Sequence, residues 1–504
     1  MASRIEPNQN RLRKRSPEAE ALRLIPEAMA RQYVAIPLAL KGNTLHVAIA
    51  DPSDIFALEA LATQSQMRIE TETANAEDIL EAIDFNYKSY DEIEKQISNI
   101  TSKDKKVDIQ IRLDTDTDAP VAQALTLIID EAVKARASDI HVQPEEDSLR
   151  VRYRIDGLLH DMFSLPLSTA TPLISRIKIL ASMNIADHHR PQDGQFSIKT
   201  KGRLIDIRVG TIATVYGEMA ALRLLDKSKA TLTLAELGFL PDSLGKFEKM
   251  LKVPYGIIMV SGPTGAGKTT TIYASINNLD RVGRNIITIE DPVEYRFKSI
   301  NQIQVNPKSG ITFASGLRSI LRLDPNVILV GEIRDAETAN IAVQSALTGH
   351  LVLSSIHAND AVGVVSRLLD LGIEPFLVSS ALIGVVAQRM VRRVCPTCAR
   401  QVEAPVVEQL IYNKEIGEKR TKFFYGAGCK SCAHSGYWGR TGLFEILQMS
   451  DEMRVSLLKG ATANQLRAQA IQEGMVTLLR DGMFKVKADM TTPFEVLRNT
   501  YSVE

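Results

Sequence analysis

The residues Gly262, Pro263, Thr264, Gly265, Ala266, Gly267, Lys268 and Thr269 stand between an apolar run, GIIMVS, and a helical pattern, TTTIYASI. This is G-x-x-x-x-G-K-[ST] in the strand, loop and helix context that gives the motif its meaning. Glycines at these positions let backbone amides close around phosphate oxygens, and the helix N-terminus adds the positive end of its dipole. Lys268 is expected to reach the β- and γ-phosphates of a nucleotide, with Thr270 flanking the loop. Thr269 offers a hydroxyl to Mg²⁺, a hard ion that takes oxygen ligands and keeps several waters. The bland alternative is a coincidental glycine-rich turn, and motif and context together argue against it.

Hydrolysis then needs a carboxylate to orient or deprotonate the attacking water. Two apolar runs end in acids. NIITIEDPVEYR carries Glu290, Asp291 and Glu294, and NVILVGEIRD carries Glu332. Parallel strands of one sheet end at a common crevice, so both tips are expected to face the phosphates, with Glu294 and Glu332 as the candidates. Helix capping, or solvated acids beside Arg296 and Arg334, is the competing reading. A third run lies between His350 and His357 in TGHLVLSSIHAND, and a histidine at a strand end can sense a γ-phosphate, although a lone histidine more often just packs.

All four cysteines fall in two C-x-x-C pairs, Cys395 with Cys398 and Cys429 with Cys432, separated by thirty residues. Four thiolates in two knuckles suit tetrahedral Zn²⁺ as a structural ion, and nothing in the motif suggests an open coordination position. Disulfides and an iron–sulfur cluster remain the alternatives.

These groups need elements to hold them. Residues 18–87 form a small α/β pattern: helical spacing in PEAEALRLIPEAMARQY, a hairpin of VAIPLAL and TLHVAIA around KGN, and an Asp-capped helix in DPSDIFALEALATQ. A polar, aperiodic stretch follows and reads as a linker. Then come the helix VAQALTLIIDEAVKARA and the strands DIHVQP, LRVRYRIDG, LIDIRVG and MAALRLLD, expected as a mixed sheet with helices. Sixty basic and sixty acidic residues cancel, and 45% of the chain is apolar, so no global field favours nucleic acid. The basic residues at 11–15 precede no apolar signal core, and no run approaches a membrane span, so a soluble, cytoplasmic protein is expected.

The series GPTGAGKTT, TIEDPVE, LRLDPNVILVGEIRDAETA and TGHLVLSSIHANDA resembles the Walker A, Asp-box, Walker B and His-box motifs of secretion-superfamily ATPases. These are the assembly motors of type II secretion and type IV pili, GspE/PilB-like proteins. ASDIHVQP, VRYRIDG and RPQDGQFS resemble that family's second N-terminal domain. The resemblance implies that Glu294 is the Asp-box glutamate proposed as catalytic base, Glu332 the Walker B glutamate acting on Mg²⁺ and its waters, and His357 the His-box histidine. It also implies that Arg208, Arg223 and Arg440 supply positive charge to the phosphates, an effect of about 10³ to 10⁵ in rate in other NTPases. Ordinary surface ion pairing is the alternative for all three. Gln195 stands after QDG where the family has a basic residue, so that turn is not expected to touch phosphate.

The fold class implied is α/β: a RecA-like P-loop ATPase core with a zinc-binding subdomain, preceded by a PAS-like α/β domain and a small N-terminal α/β domain. The expected division is 1–89 for docking, 90–120 linker, 121–228 PAS-like, 237–394 ATPase core, 395–442 zinc-binding and 443–504 helical. The resemblance further implies ATP with Mg²⁺, structural Zn²⁺, a homo-hexamer, and contact through the N-terminal domain with an inner-membrane platform protein and a membrane partner's cytoplasmic domain, without nucleic acid. Peripheral association with the inner membrane follows from those partners. Some relatives' N-terminal domains bind cyclic di-GMP, but residues 18–87 lack a repeated Arg-Leu-Gly helix motif, which favours docking.

Overall fold

The structure is a computed structural model of the 504-residue chain. It describes residues 17, 19–76, 78–80, 82–83, 87, 119–200, 202–226, 232–432 and 434–500. The basic cluster at 11–15 and nearly all of the expected linker lie outside them. The chain divides into two compact units, Met1–Asp226 and Lys227–Glu504.

In the first unit, strands Ala35–Lys41, Thr44–Ile49 and Arg68–Thr73 form a small sheet in that order, antiparallel and then parallel. A parallel pair needs a crossover, and helix Ile55–Ser65 supplies it. Asp54 starts that helix by accepting the Ala57 N–H at 3.0 Å. The single helical pattern expected at the start is instead two helices, Ala19–Leu24 and Glu27–Gln32. Pro26 breaks it, because proline has no N–H to continue the ladder and disfavours the α conformation at Ile25.

The same unit holds a six-stranded sheet in the order Leu158–Pro166, Ser148–Ile155, Asp139–Pro144, Gly217–Asp226, Arg203–Thr214, Gln192–Thr200. The expectation of a mixed sheet is corrected, since every neighbouring pair is antiparallel. The physical reason lies in the turns. Short connections join the strands into two three-stranded meanders, and such turns allow antiparallel pairing alone. Helix Ala170–Leu180 links the meanders so that the first strand of one meets the last strand of the other. That helix and Ala119–Lys134 cover one face, where Val151, Tyr153, Ile174 and Ile128 share a core. Arg150, Arg152 and Arg154 alternate with the buried residues and take the other face.

The second unit is built on a seven-stranded sheet: Asn301–Gln304, Ile286–Glu290, Val327–Val330, Leu351–Ile356, Gly256–Ser261, Leu382–Val394, Tyr437–Gln448. The first six run parallel and the last is antiparallel. Four of the inner strands are buried from end to end, as their predominantly apolar sequences suit when helices cover both faces. Ile257 and Met259 pack into one core with Val343, Val365 and Leu466. Ile258 and Val260 point the other way, into a core with Phe247, Ile272 and Tyr273. Beside the antiparallel edge, Ala399–Glu403 and Lys422–Gly426 form a two-stranded ribbon. Its Phe423 shares a core with Tyr412 of helix Val406–Ile416 and Met483 of helix Leu478–Lys487.

Candidate functional site

The phosphate loop hangs between strand Gly256–Ser261 and helix Lys268–Asn277. Two of its glycines are required by what lies behind them. Gly262 has φ 146°, and a Cβ there would sit 2.4 Å from the Gln388 carbonyl oxygen. Gly267 caps the helix at φ 88°, and a Cβ would sit 2.9 Å from Gln388 Nε2. Gln388 is buried, and its Oε1 accepts the Thr271 hydroxyl at 2.6 Å. A polar residue inside the apolar text ALIGVVAQRMV is the signal that could have found it.

Pro263, Thr264, Gly265 and Thr269 are exposed, Ala266 is buried beneath them, and Thr270 is half-buried. Thr269 stands on the first helical turn, open to a ligand. Lys268 Nζ donates to the carbonyls of Gly262 at 2.8 Å and Pro263 at 3.1 Å, spanning the loop. Burial pushes its pKa down, opposed by the charge of Glu332 and assisted by Arg389. Arg389, missed in the sequence, is half-buried and donates to the Asn359 carbonyl at 3.0 Å.

Glu332 follows strand Val327–Val330 after Gly331. The glycine fits because a Cβ would press on Glu290 Cα and the Ile289 carbonyl at 3.3 Å. Its N–H donates to Ile289 O at 2.8 Å, and its carbonyl accepts the Ser355 hydroxyl at 2.7 Å. Those bonds fasten the tip between two strands. The Glu332 carboxylate is bonded to Arg334, whose pKa it raises, and lies 3.7 Å from His357 Nε2. His357 is exposed at the carboxyl end of strand Leu351–Ile356. His350 is at the opposite end, with Nδ1 2.9 Å from the Ser345 carbonyl, remote from that crevice.

Glu290 and Glu294 separate into different environments. Glu290 is 3% exposed, and its carboxylate accepts from Tyr273, from Thr288 Oγ1 at 2.6 Å and from Gln302 Nε2 at 3.2 Å. Capping or solvation, the alternative read from the sequence, does not describe it. Glu294 is half-buried, and its N–H donates to the Tyr273 hydroxyl at 3.3 Å. Asp291 is exposed.

Arg208 and Arg223 are direct cross-strand neighbours in the six-stranded sheet and so share a face, while Gln195 sits opposite Arg208 on the next strand. Arg223 is paired: its Nε donates to Asp139 Oδ1 at 3.1 Å. Arg440 is exposed on strand Tyr437–Gln448 opposite Arg392. That rung is four residues, about 13 Å, farther along the strand than Gln388.

The four cysteines converge, with all Sγ atoms within 4.8 Å of one another. Cys395 to Cys429 is 3.8 Å, Cys398 to Cys432 is 3.9 Å and Cys429 to Cys432 is 3.7 Å. Tetrahedral Zn²⁺ with bonds of about 2.3 Å sets sulfur separations of about 3.8 Å, so the donor set fits that ion. The separations far exceed a disulfide bond of about 2.05 Å. Backbone N–H groups of Gly428 and Cys429 donate to Cys398 and Cys432 Sγ at 3.2 and 3.1 Å, an arrangement that suits metal-bound sulfur.

Among solved structures, the Legionella pneumophila ATPase DotB superposes with TM-score 0.55 at 20% identity, over 74% of this chain and 94% of that one. The pilus retraction motor PilT with bound ADP gives 0.51 at 25% identity, over 74% and 95%. The type IV pilus assembly ATPase PilB of Myxococcus xanthus is 41% identical, over 96% of this chain and 87% of its own. Type II secretion system protein E of Klebsiella pneumoniae is 40% identical, over 96% and 98%. A family model for the MshEN domain matches residues 11–92. A second, described as type II/IV secretion system protein, matches residues 114–498, and with these relatives it establishes that the chain belongs to that family of secretion and pilus-assembly ATPases.

Proposed function

We propose that the chain is an ATP-hydrolysing motor that drives pseudopilus assembly in type II secretion, working as a homo-hexamer at the cytoplasmic face of the inner membrane. The observation that supports it best is the open carboxyl edge of the parallel sheet, where the phosphate loop, Lys268, Glu332 and His357 are neighbours. ATP binds with its phosphates in the loop, and Lys268 exchanges its carbonyl partners for phosphate oxygens. Mg²⁺, when bound, neutralises charge on the transferring phosphoryl group, and Thr269 is the side chain positioned to hold it. Glu332 orients the water shell of that ion, Glu294 takes a proton from the attacking water, and His357 reads the γ-phosphate. Arg208, Arg223 and Arg440 add positive charge at the phosphates.

Movement of the preceding domains against the ATPase core would turn a membrane platform protein, with residues 1–89 docking a second membrane partner. No described helix is long and apolar enough to cross a membrane. The relationship to a pilus assembly ATPase favours one alternative, extension of a type IV pilus. Deleting the gene and scoring secreted proteins against surface pili separates the two.

Lys268→Ala is expected to abolish phosphate release by the purified full chain, and hydrolysis at the normal rate would overturn the ATPase site. Metal analysis should return about one zinc per chain. Cys432→Ser should unfold the ribbon module, since structural zinc supplies about 10 to 16 kcal/mol in small peptides.

A further inference from the structure

Tyr273 belongs to the helix that starts at the phosphate loop, yet its polar end serves a different segment. Its hydroxyl donates to the buried Glu290 carboxylate and accepts the Glu294 N–H at 3.3 Å. Its ring meets Tyr295 edge-on at a centroid distance of 6.2 Å and Phe297 at 4.9 Å. The residues around Glu294 are thus wrapped around one side chain of the phosphate-loop helix.

Glu290 decides which way that hydroxyl points. The carboxylate already accepts from Thr288 and Gln302, and its second oxygen accepts a hydrogen bond from the tyrosine hydroxyl. A lone pair of the tyrosine oxygen is then left toward the Glu294 N–H. Gln302 closes the arrangement from the next strand, accepting the Phe297 N–H at 2.9 Å and donating to the Tyr295 carbonyl at 3.0 Å. Burial, and then Glu290, raise the Tyr273 pKa, so the hydroxyl keeps its proton throughout the working range.

We infer that Tyr273, aimed by Glu290, is a positioning residue for Glu294: it couples the place of that acid to the helix whose first turn holds the phosphates. The inference rests on the reading of Glu294 as the base. Its consequence is that a shift of the phosphate-loop helix on nucleotide binding is transmitted to the acid by one hydroxyl and one ring. Neither Glu290 nor Tyr273 touches the reacting atoms.

Tyr273→Phe removes the hydroxyl and keeps the ring. Steady-state hydrolysis by the full-length assembly should lose about tenfold to a hundredfold in kcat, as misplacement of a reacting group does. ATP affinity should stay within about twofold, because the loop itself is untouched. Equal losses in kcat and affinity would mean that the loop has been distorted and would overturn the inference. The decisive measurement is the double variant Tyr273→Phe/Glu294→Gln, which should hydrolyse at the rate of Glu294→Gln alone. If the losses multiply, Tyr273 does not act through Glu294 and the inference fails, while the reading of Glu294 stands. If Glu294→Gln alone hydrolyses normally, that reading fails and takes the inference with it. Should Tyr273→Phe not fold, Glu290→Gln carries the same test: its amide competes for the hydroxyl's orientation, and the same loss in kcat with retained affinity is expected.

Discussion

Strands Ile286–Glu290 and Val327–Val330 pair in parallel, and at the ends of these neighbours stand two glutamates in opposite surroundings. Glu290 is 3% exposed and accepts from a tyrosine, a threonine and a glutamine, all neutral donors. The Glu332 side chain is 19% exposed, bonded to Arg334, near His357, and close enough to Lys268 to act on its charge. One carboxylate is surrounded by internal donors that leave it little capacity for a ligand. The other sits among cations at an open crevice, where an incoming phosphate and metal would rearrange every partner. The same residue type at the same kind of strand end is thus sealed by internal donors or left open to a ligand according to which donors reach it first.

The comparison breaks most visibly at Glu332. Glu332→Gln keeps the shape and removes the charge, so nucleotide should still bind while kcat falls about 10² to 10⁴, the usual contribution of a positioned acid or base. Equilibrium binding and phosphate release, measured on one preparation, check this. Folding should hardly notice, because the lost bond to Arg334 is a partly exposed ion pair.

Glu290→Gln should reverse the emphasis. One of its oxygens becomes an NH₂ facing a donor, and an unsatisfied buried group costs about 1 to 3 kcal/mol. A lower denaturant midpoint at unchanged slope reports that loss. Hydrolysis should fall less than in Glu332→Gln, by about tenfold at the mild end of misplacement, through Tyr273 alone. A Glu290→Gln protein as inactive as Glu332→Gln, with unaltered stability, would erase the distinction between the two tips.

Much of this site was legible in the sequence because its signals are local. The phosphate loop is a contiguous motif whose glycines answer to steric demands, and Val327–Val330 is apolar without interruption because both sheet faces are covered. Four cysteines in two pairs carried their own geometry. What could not be read were partnerships across the chain. Glu290 looked like Glu294 because its donors Tyr273 and Gln302 lie seventeen residues before it and twelve after it. Gln388 reaches the phosphate loop from 117 residues beyond Thr271. The break at Pro26 was visible in the letters, but helical spacing on both sides concealed it. The antiparallel six-stranded sheet depended on how two meanders meet, which no single strand records.

The smallest expected effect tests the comparison from inside NVILVGEIRD itself. Asp335 lies three residues after Glu332 and has the same charge, but its carboxylate is committed to Thr338. Oδ1 accepts the Thr338 N–H at 2.8 Å and Oδ2 the Thr338 hydroxyl at 3.1 Å, so it caps helix Ala336–Leu347. Asp335→Ala should cost about 1 kcal/mol, the usual value of an N-cap, seen as a small drop in the denaturant midpoint. Turnover should hold, because Gly331 beside Glu332 is fastened independently, by its N–H to the Ile289 carbonyl and by the Ser355 hydroxyl to its own carbonyl, bonds that the cap does not share. If Asp335→Ala instead lost activity while keeping its stability, the crevice would extend past Glu332 into the helix start. The boundary between chemical and structural acids would then have to move three residues along the chain.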